Sequence, residues 1–106
     1  MDDEITPQEL KEKMDRGDDF VLIDVREEQE LEVSKIEGAR HIPLGDLQGV
    51  LHEFDSDPEY IIMCRSGSRS QQAVDMMLSE GFENVKNLVG GINRWATEVD
   101  TSLPTY

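Results

Sequence analysis

The chain carries a single cysteine, Cys64, so no internal disulfide can form and no pair of thiolates can hold a metal. Two histidines, His41 and His52, are too few to build a zinc cage on their own. Basic residues are scarce as well: 10 Lys and Arg stand against 24 Asp and Glu, a net charge of −14. A surface of that sign repels polyphosphates and acidic headgroups, which sets nonspecific nucleic-acid binding and anionic membranes aside as partners. No apolar run approaches the roughly 18 to 20 residues of a membrane span. The opening Met1-Asp2-Asp3-Glu4 is acidic where a signal or transit peptide would be basic, so a cytoplasmic protein is expected. Linkers, internal repeats and low-complexity segments are missing too, and 106 residues suit one domain spanning 1–106. The acid excess reads first as a solubility device, with adaptation to a salt-rich cytoplasm as the alternative.

Hydrophobic residues make up 37% of the chain, enough for a core, and their pattern alternates between strand-like and helix-like stretches. Thr6-Pro7-Gln8-Glu9 predicts a helix start, with Thr as N-cap, Pro at the first position and Glu closing a capping box, and Gly17 predicts its end. Residues 20–25 form an apolar run broken only by Asp24, and 60–63 form another; both predict buried parallel strands. A charge-dense loop with a helical turn (26–35) and a short strand (39–42) follow the first run, and Asp46 is expected to cap a helix carrying Leu47, Val50 and Leu51. Residues 70–79 place Ala73, Val74, Met77 and Leu78 on one helical stripe ending at Gly81, followed by a strand over 85–89 and a helix over 92–99. Ile5 is expected in a brief edge strand. Strands alternating with helices imply an α/β fold with a mainly parallel sheet and a site at the carboxyl ends of its strands.

The chemistry concentrates in Cys64-Arg65-Ser66-Gly67-Ser68-Arg69-Ser70, between a buried strand and a helix. A tight turn there directs successive N–H groups inward, and the following helix adds the positive end of its dipole. Gly67 suits the residue of positive φ that such a loop needs. A sulfur on the floor of this cradle, with Arg65 and Arg69 nearby, should favour the thiolate, which makes Cys64 a nucleophile candidate. A lone cysteine is more often a small buried apolar residue; two arginines, a glycine and three serines around this one argue against that.

With these residues in view, the sequence resembles the rhodanese family of sulfurtransferases over nearly its whole length. The resemblance rests on Leu22-Ile23-Asp24-Val25-Arg26-Glu27 with Glu30, on Ile36-Glu37-Gly38-Ala39-Arg40-His41-Ile42-Pro43, on Cys64 to Ser70, and on Val89-Gly90-Gly91-Ile92-Asn93-Arg94-Trp95. The tail from Trp95 to Tyr106 is similar to the rhodanese domain that ends some adenylyltransferases acting on ubiquitin-like sulfur carriers. The resemblance implies a rhodanese-like five-stranded sheet flanked by helices on both faces, and a Cys64 that takes sulfane sulfur as a persulfide and passes it to a thiophilic acceptor. Neither metal nor cofactor is implied. Arg65, Ser66, Gly67, Ser68 and Arg69 would bind a small anionic donor such as thiosulfate, with Arg69 facing the sulfur and mattering more than Arg65. A ubiquitin-like sulfur carrier or a cysteine desulfurase is the implied protein partner.

Asp24 and Arg26 are expected to support the loop from below, Arg26 through a carboxylate such as Glu30, while Ser70 is expected to cap the helix. His41 reads as an ordinary hydrogen-bonded histidine, and Trp95, Met76 and Met77 as packing residues. Two alternatives stay open: a phosphatase or arsenate reductase of the same fold, and a non-catalytic binding module. Phosphatase-type loops put five residues between Cys and Arg; here four separate Cys64 from Arg69. Ser34-Lys35 stands where the family often has Gly-His.

Overall fold

A computed structural model describes residues 3–106. Thr6 opens the first helix as expected: its Oγ1 accepts from the Glu9 amide at 3.1 Å, and the Glu9 carboxylate accepts from the Thr6 amide at 2.9 Å. With Pro7 at the first position and Gly17 in a left-handed C-cap, the helix α1 (Pro7–Arg16) is bounded by local chemistry alone. It follows the strand β1 (Glu4–Ile5) and leads into β2 (Val21–Asp24). A 3-10 turn over Glu28–Glu32, β3 (Arg40–His41), α2 (Leu44–Val50) and a second 3-10 turn over Leu51–Glu53 come next. The chain then runs through β4 (Tyr60–Met63), α3 (Ser68–Ser79), β5 (Val85–Leu88) and α4 (Gly91–Glu98). No helix among the described residues is long and apolar enough to cross a membrane.

The five strands form one sheet in the order β1-β5-β4-β2-β3, every pair parallel. The expected α/β architecture with helices on both faces is therefore what the chain adopts. All four residues of β4 are buried because the period of the strand sends alternate side chains into two different cores. Tyr60, Ile62 and Cys64 join Leu47, Val74 and Met77 on the α2–α3 face; Ile61 and Met63 join Leu10, Ile92 and Trp95 on the α1–α4 face. Cys64 thus enters the fold as a continuation of the strand pattern, directed toward α3. From β2 the sheet continues outward to β3, and from β4 it continues the other way to β5 and β1. The connections reverse between these two central strands, and a crevice outside their carboxyl ends is where such sheets hold ligands.

Some boundaries differ from the sequence-based expectation. The helix expected to be capped by Asp46 starts at Leu44, because Pro43 already turns the chain and the Leu44 amide is held by the Val25 carbonyl at 3.0 Å. Asp46 lies inside the first turn, where a negative charge still complements the helix dipole. The third helix starts at Ser68 rather than Ser70, since Gly67 takes the N-cap position.

Asp24 ends β2, and its carboxylate is matched by the guanidinium of Arg26, which is 0% exposed. Arg26 Nε and Nη2 donate to both carboxylate oxygens at 2.7 to 3.1 Å, and the Arg26 amide adds a further bond at 3.0 Å. The remaining donors reach the carbonyls of Ser34 at 2.8 Å and Glu30 at 3.3 Å and the phenol oxygen of Tyr106 at 3.0 Å. His41 Nε2 donates to the Arg26 carbonyl at 2.6 Å, an ordinary structural role. Two buried charges persist here because nearly every donor has a partner, and removing one partner strands the other. Asp24→Asn is expected to cost about 3–5 kcal/mol in urea unfolding at neutral pH; a loss below about 1 kcal/mol would mean that water already shares the guanidinium.

Candidate active site

The Cys64 loop leaves β4 at its carboxyl end and enters α3 at Gly67, whose φ of +117° lies in the region open to glycine. That conformation turns the Gly67 amide onto Cys64 Sγ at 3.1 Å; the Ser70 amide follows at 3.4 Å and the Ser70 hydroxyl at 3.3 Å. Ser70 is therefore not the helix cap expected of it. It is the third residue of α3, fully buried, and its hydroxyl spans from Cys64 to the Oδ1 of Asn87 on β5, 2.5 Å away. Asn87 spends its amide hydrogens on the loop and on the helix it leads into, on the Gly67 carbonyl at 3.1 Å and Gln71 Oε1 at 3.2 Å.

Another support comes from α4. The amides of its second and third residues, Ile92 and Asn93, donate to the carbonyls of Cys64 and Arg65 at 2.9 and 3.2 Å. In a trans peptide the N–H points opposite to the C=O, so drawing the Arg65 carbonyl toward α4 sends the Ser66 amide the other way, into the cradle. The approach is close enough that a Cβ on Gly91 would lie 2.4 Å from the Arg65 carbonyl oxygen, which explains the glycine.

Cys64 is only 1% exposed, and burial alone pushes its thiol up. The Ser70 hydroxyl and the amides of Ser70, Gly67 and Ser66 more than offset this, leaving the thiol below its ordinary value. Ser66 acts through its amide; Ser66 and Ser68 are both exposed.

Arg69 meets a different geometry from the one expected. Its guanidinium is held fork-to-fork by Glu30, Nη1 to Oε2 at 2.6 Å and Nη2 to Oε1 at 2.9 Å. Glu30 therefore serves Arg69 with its carboxylate and Arg26 only with its main-chain carbonyl. The Arg69 hydrogen bonds, with smaller help from the Tyr106 hydroxyl at 2.7 Å and the Glu27 amide at 2.8 Å, outweigh burial and hold the Glu30 carboxyl down at about 2. Because Tyr106 Oη also accepts from Arg26, an alternating chain Asp24–Arg26–Tyr106–Glu30–Arg69 runs from the end of β2 to the start of α3. Arg65 is exposed and takes no carboxylate among the described residues; its guanidinium carbon lies 4.9 Å from the centroid of the Tyr106 ring.

Asn87, Gly91, Asn93 and Tyr106 are the contributors that sequence reasoning missed. Asn87 had a signal, a polar residue in an otherwise apolar strand, of the kind that singled out Asp24. Tyr106 had only its place in a tail that resembles one rhodanese subgroup, and nothing near it points to Arg26, 80 residues away.

Two measurements follow. The thiolate absorbance of Cys64 should rise through a midpoint below the ordinary thiol value of 9.0; a midpoint at or above it would show burial outweighing the donors. The depressed Glu30 carboxyl contributes stability that is complete above about 4.5 and is lost as pH falls toward about 2. Glu30→Gln should accordingly be less stable than the parent at neutral pH, with the deficit in urea unfolding shrinking across that window; a deficit independent of pH would remove the ion pair from the account.

Known proteins place this geometry. The profile of the family described as the Rhodanese-like domain matches residues 6–98. The candidate sulfurtransferase YtwF of Bacillus subtilis is 39% identical, over 90% of this chain and 91% of its own. The adenylyltransferase and sulfurtransferase MOCS3-2 of Zea mays is 32% identical over 96% of this chain, which spans only 23% of that longer protein. Among solved structures, a rhodanese-like domain protein from Staphylococcus aureus covers 97% of both chains with a TM-score of 0.83 at 29% identity. A parallel sheet of this order, a cysteine loop at its carboxyl edge and relatives spanning the chain at these identities agree: the chain belongs to the rhodanese-like domain family.

Proposed function

We propose that this chain is a sulfurtransferase domain in which Cys64 accepts sulfane sulfur from a small anionic donor, of which thiosulfate is the simplest, and passes it to a thiophilic acceptor. The observation that carries the reading is the convergence of the Gly67 and Ser70 donors on a buried sulfur at the start of α3. In the first half-reaction the Cys64 thiolate attacks the outer sulfur of thiosulfate, the S–S bond to the sulfonate breaks, and sulfite leaves with the electron pair. The product is a Cys64 persulfide anion. In the second, an acceptor thiolate or cyanide attacks the outer sulfur and the Cys64 thiolate is the leaving group.

The same N–H donors serve both steps, because each begins or ends with negative charge on sulfur in a water-poor loop. A persulfide extends the side chain by one S–S bond of about 2 Å, which suits a thiol this deep in the fold. Arg65 is available to an approaching anion, whereas Arg69 keeps its negative partner. The four-residue spacing from Cys64 to Arg69 favours sulfur over a wrapped tetrahedral oxyanion. A ubiquitin-like sulfur carrier or a cysteine desulfurase in the cytoplasm is the proposed physiological partner, supported by the likeness to adenylyltransferase and sulfurtransferase proteins.

Incubation with thiosulfate followed by intact mass measurement should show the gain of one sulfur atom, removed by cyanide and absent from Cys64→Ala. Hydrolysis of a phosphoryl ester without sulfur uptake would replace this reading with a phosphatase, and neither reaction would leave a binding module.

A further inference from the structure

The cations of the loop are unequal. Arg69 is paired with Glu30 through two short bonds, so little of its charge is left for an incoming anion. Arg65 has no carboxylate among the described residues and lies instead over the ring of Tyr106, 4.9 Å from its centroid. A guanidinium stacked on an aromatic face is attracted by the ring while its N–H donors, which lie in its own plane, remain unspent. Stacking therefore fixes the cation without neutralising it.

The platform itself is fixed from several directions. Tyr106 Oη donates to Glu30 Oε1 at 2.7 Å and accepts from Arg26 Nη1 at 3.0 Å. Its amide donates to Asn93 Oδ1 at 3.2 Å, and its main-chain oxygen accepts from Asn93 Nδ2 at 2.8 Å. The Asn93 amide, in turn, holds the carbonyl of Arg65 at 3.2 Å. One residue of α4 thereby anchors both the main chain of Arg65 and the tyrosine on which its side chain rests.

We propose that Tyr106 is a positioning residue that holds Arg65 as the uncompensated cation over the Cys64 loop and so selects negatively charged reagents for the sulfur. Its bearing on sulfur donors rests on the sulfurtransferase reading; the charge selection itself does not. Thiosulfate and carboxylate-bearing persulfides are the favoured donor class, and neutral persulfides are disfavoured.

Cys64 alkylation by iodoacetate and by iodoacetamide tests this, because the two reagents share a reacting carbon and leaving group and differ in charge. The rate ratio of iodoacetate to iodoacetamide should fall about fivefold in Tyr106→Leu, the worth of one surface cation contact. Arg65→Gln should lower it equally, and the double variant no further. Tyr106→Phe, which keeps the ring, should stay within about twofold of the parent. General loosening of the loop would change both rates together and leave the ratio alone. A ratio unmoved by Tyr106→Leu, additive losses in the double variant, or a sulfur that neither reagent reaches would each overturn the proposal. In Tyr106→Leu and Arg65→Gln the KM for thiosulfate should rise about fivefold with kcat nearly unchanged, and in Tyr106→Phe it should stay near the parent's. Should the parent form no persulfide while the alkylation ratio responds as stated, the positioning role stands and the sulfurtransferase reading falls.

Discussion

A sulfur removed from water can carry negative charge only if something replaces the water, and the donors set around Cys64 are chiefly backbone N–H. The amides of Gly67 and Ser70 point at Cys64 Sγ, the oxygen of Ser70 lies beside it, and each depends on another part of the fold. Gly67 must occupy a positive φ, α3 must start at Ser68 and not at Ser70, and the carbonyls of Cys64 and Arg65 must be drawn toward α4. The parallel sheet makes this possible by bringing the ends of β4 and β5 and the start of α4 to one edge.

Around that centre lies a second layer built from charge. Asp24 neutralises Arg26 in the interior and Glu30 neutralises Arg69 nearer the surface, with the Tyr106 hydroxyl bridging the two pairs. In an acidic protein this arrangement gives each deep cation a dedicated carboxylate. The loop's remaining arginine rests on an aromatic ring instead.

What the sequence disclosed was what is local. The capping box of α1, the strand 60–63, the need for glycine at 67 and the gathering of loop amides around Cys64 all follow from neighbours within a few positions. Helix starts at 44 and 68 were misplaced because side-chain caps at Asp46 and Ser70 looked sufficient, whereas Pro43 and Gly67 had already set the backbone direction. The pairing of Glu30 with Arg69 spans 39 positions and that of Ser70 with Asn87 spans 17, and nothing in either neighbourhood reveals the distant partner. Nearness in sequence points Glu30 to Arg26, whereas the fold gives its carboxylate to Arg69. Family resemblance supplied the architecture but not these contacts.

Ser70 has one hydrogen to give and two claimants for it. While the sulfur keeps its own proton, S–H can donate to the serine oxygen and the serine O–H to Asn87 Oδ1, so all three are content. Once the sulfur is an anion, either it forgoes the hydroxyl or Asn87 does. Loss of the thiol proton is thus felt as a rotor's choice, and the tether between the fifth strand and the loop tightens or slackens with the charge state of an atom in another strand's extension.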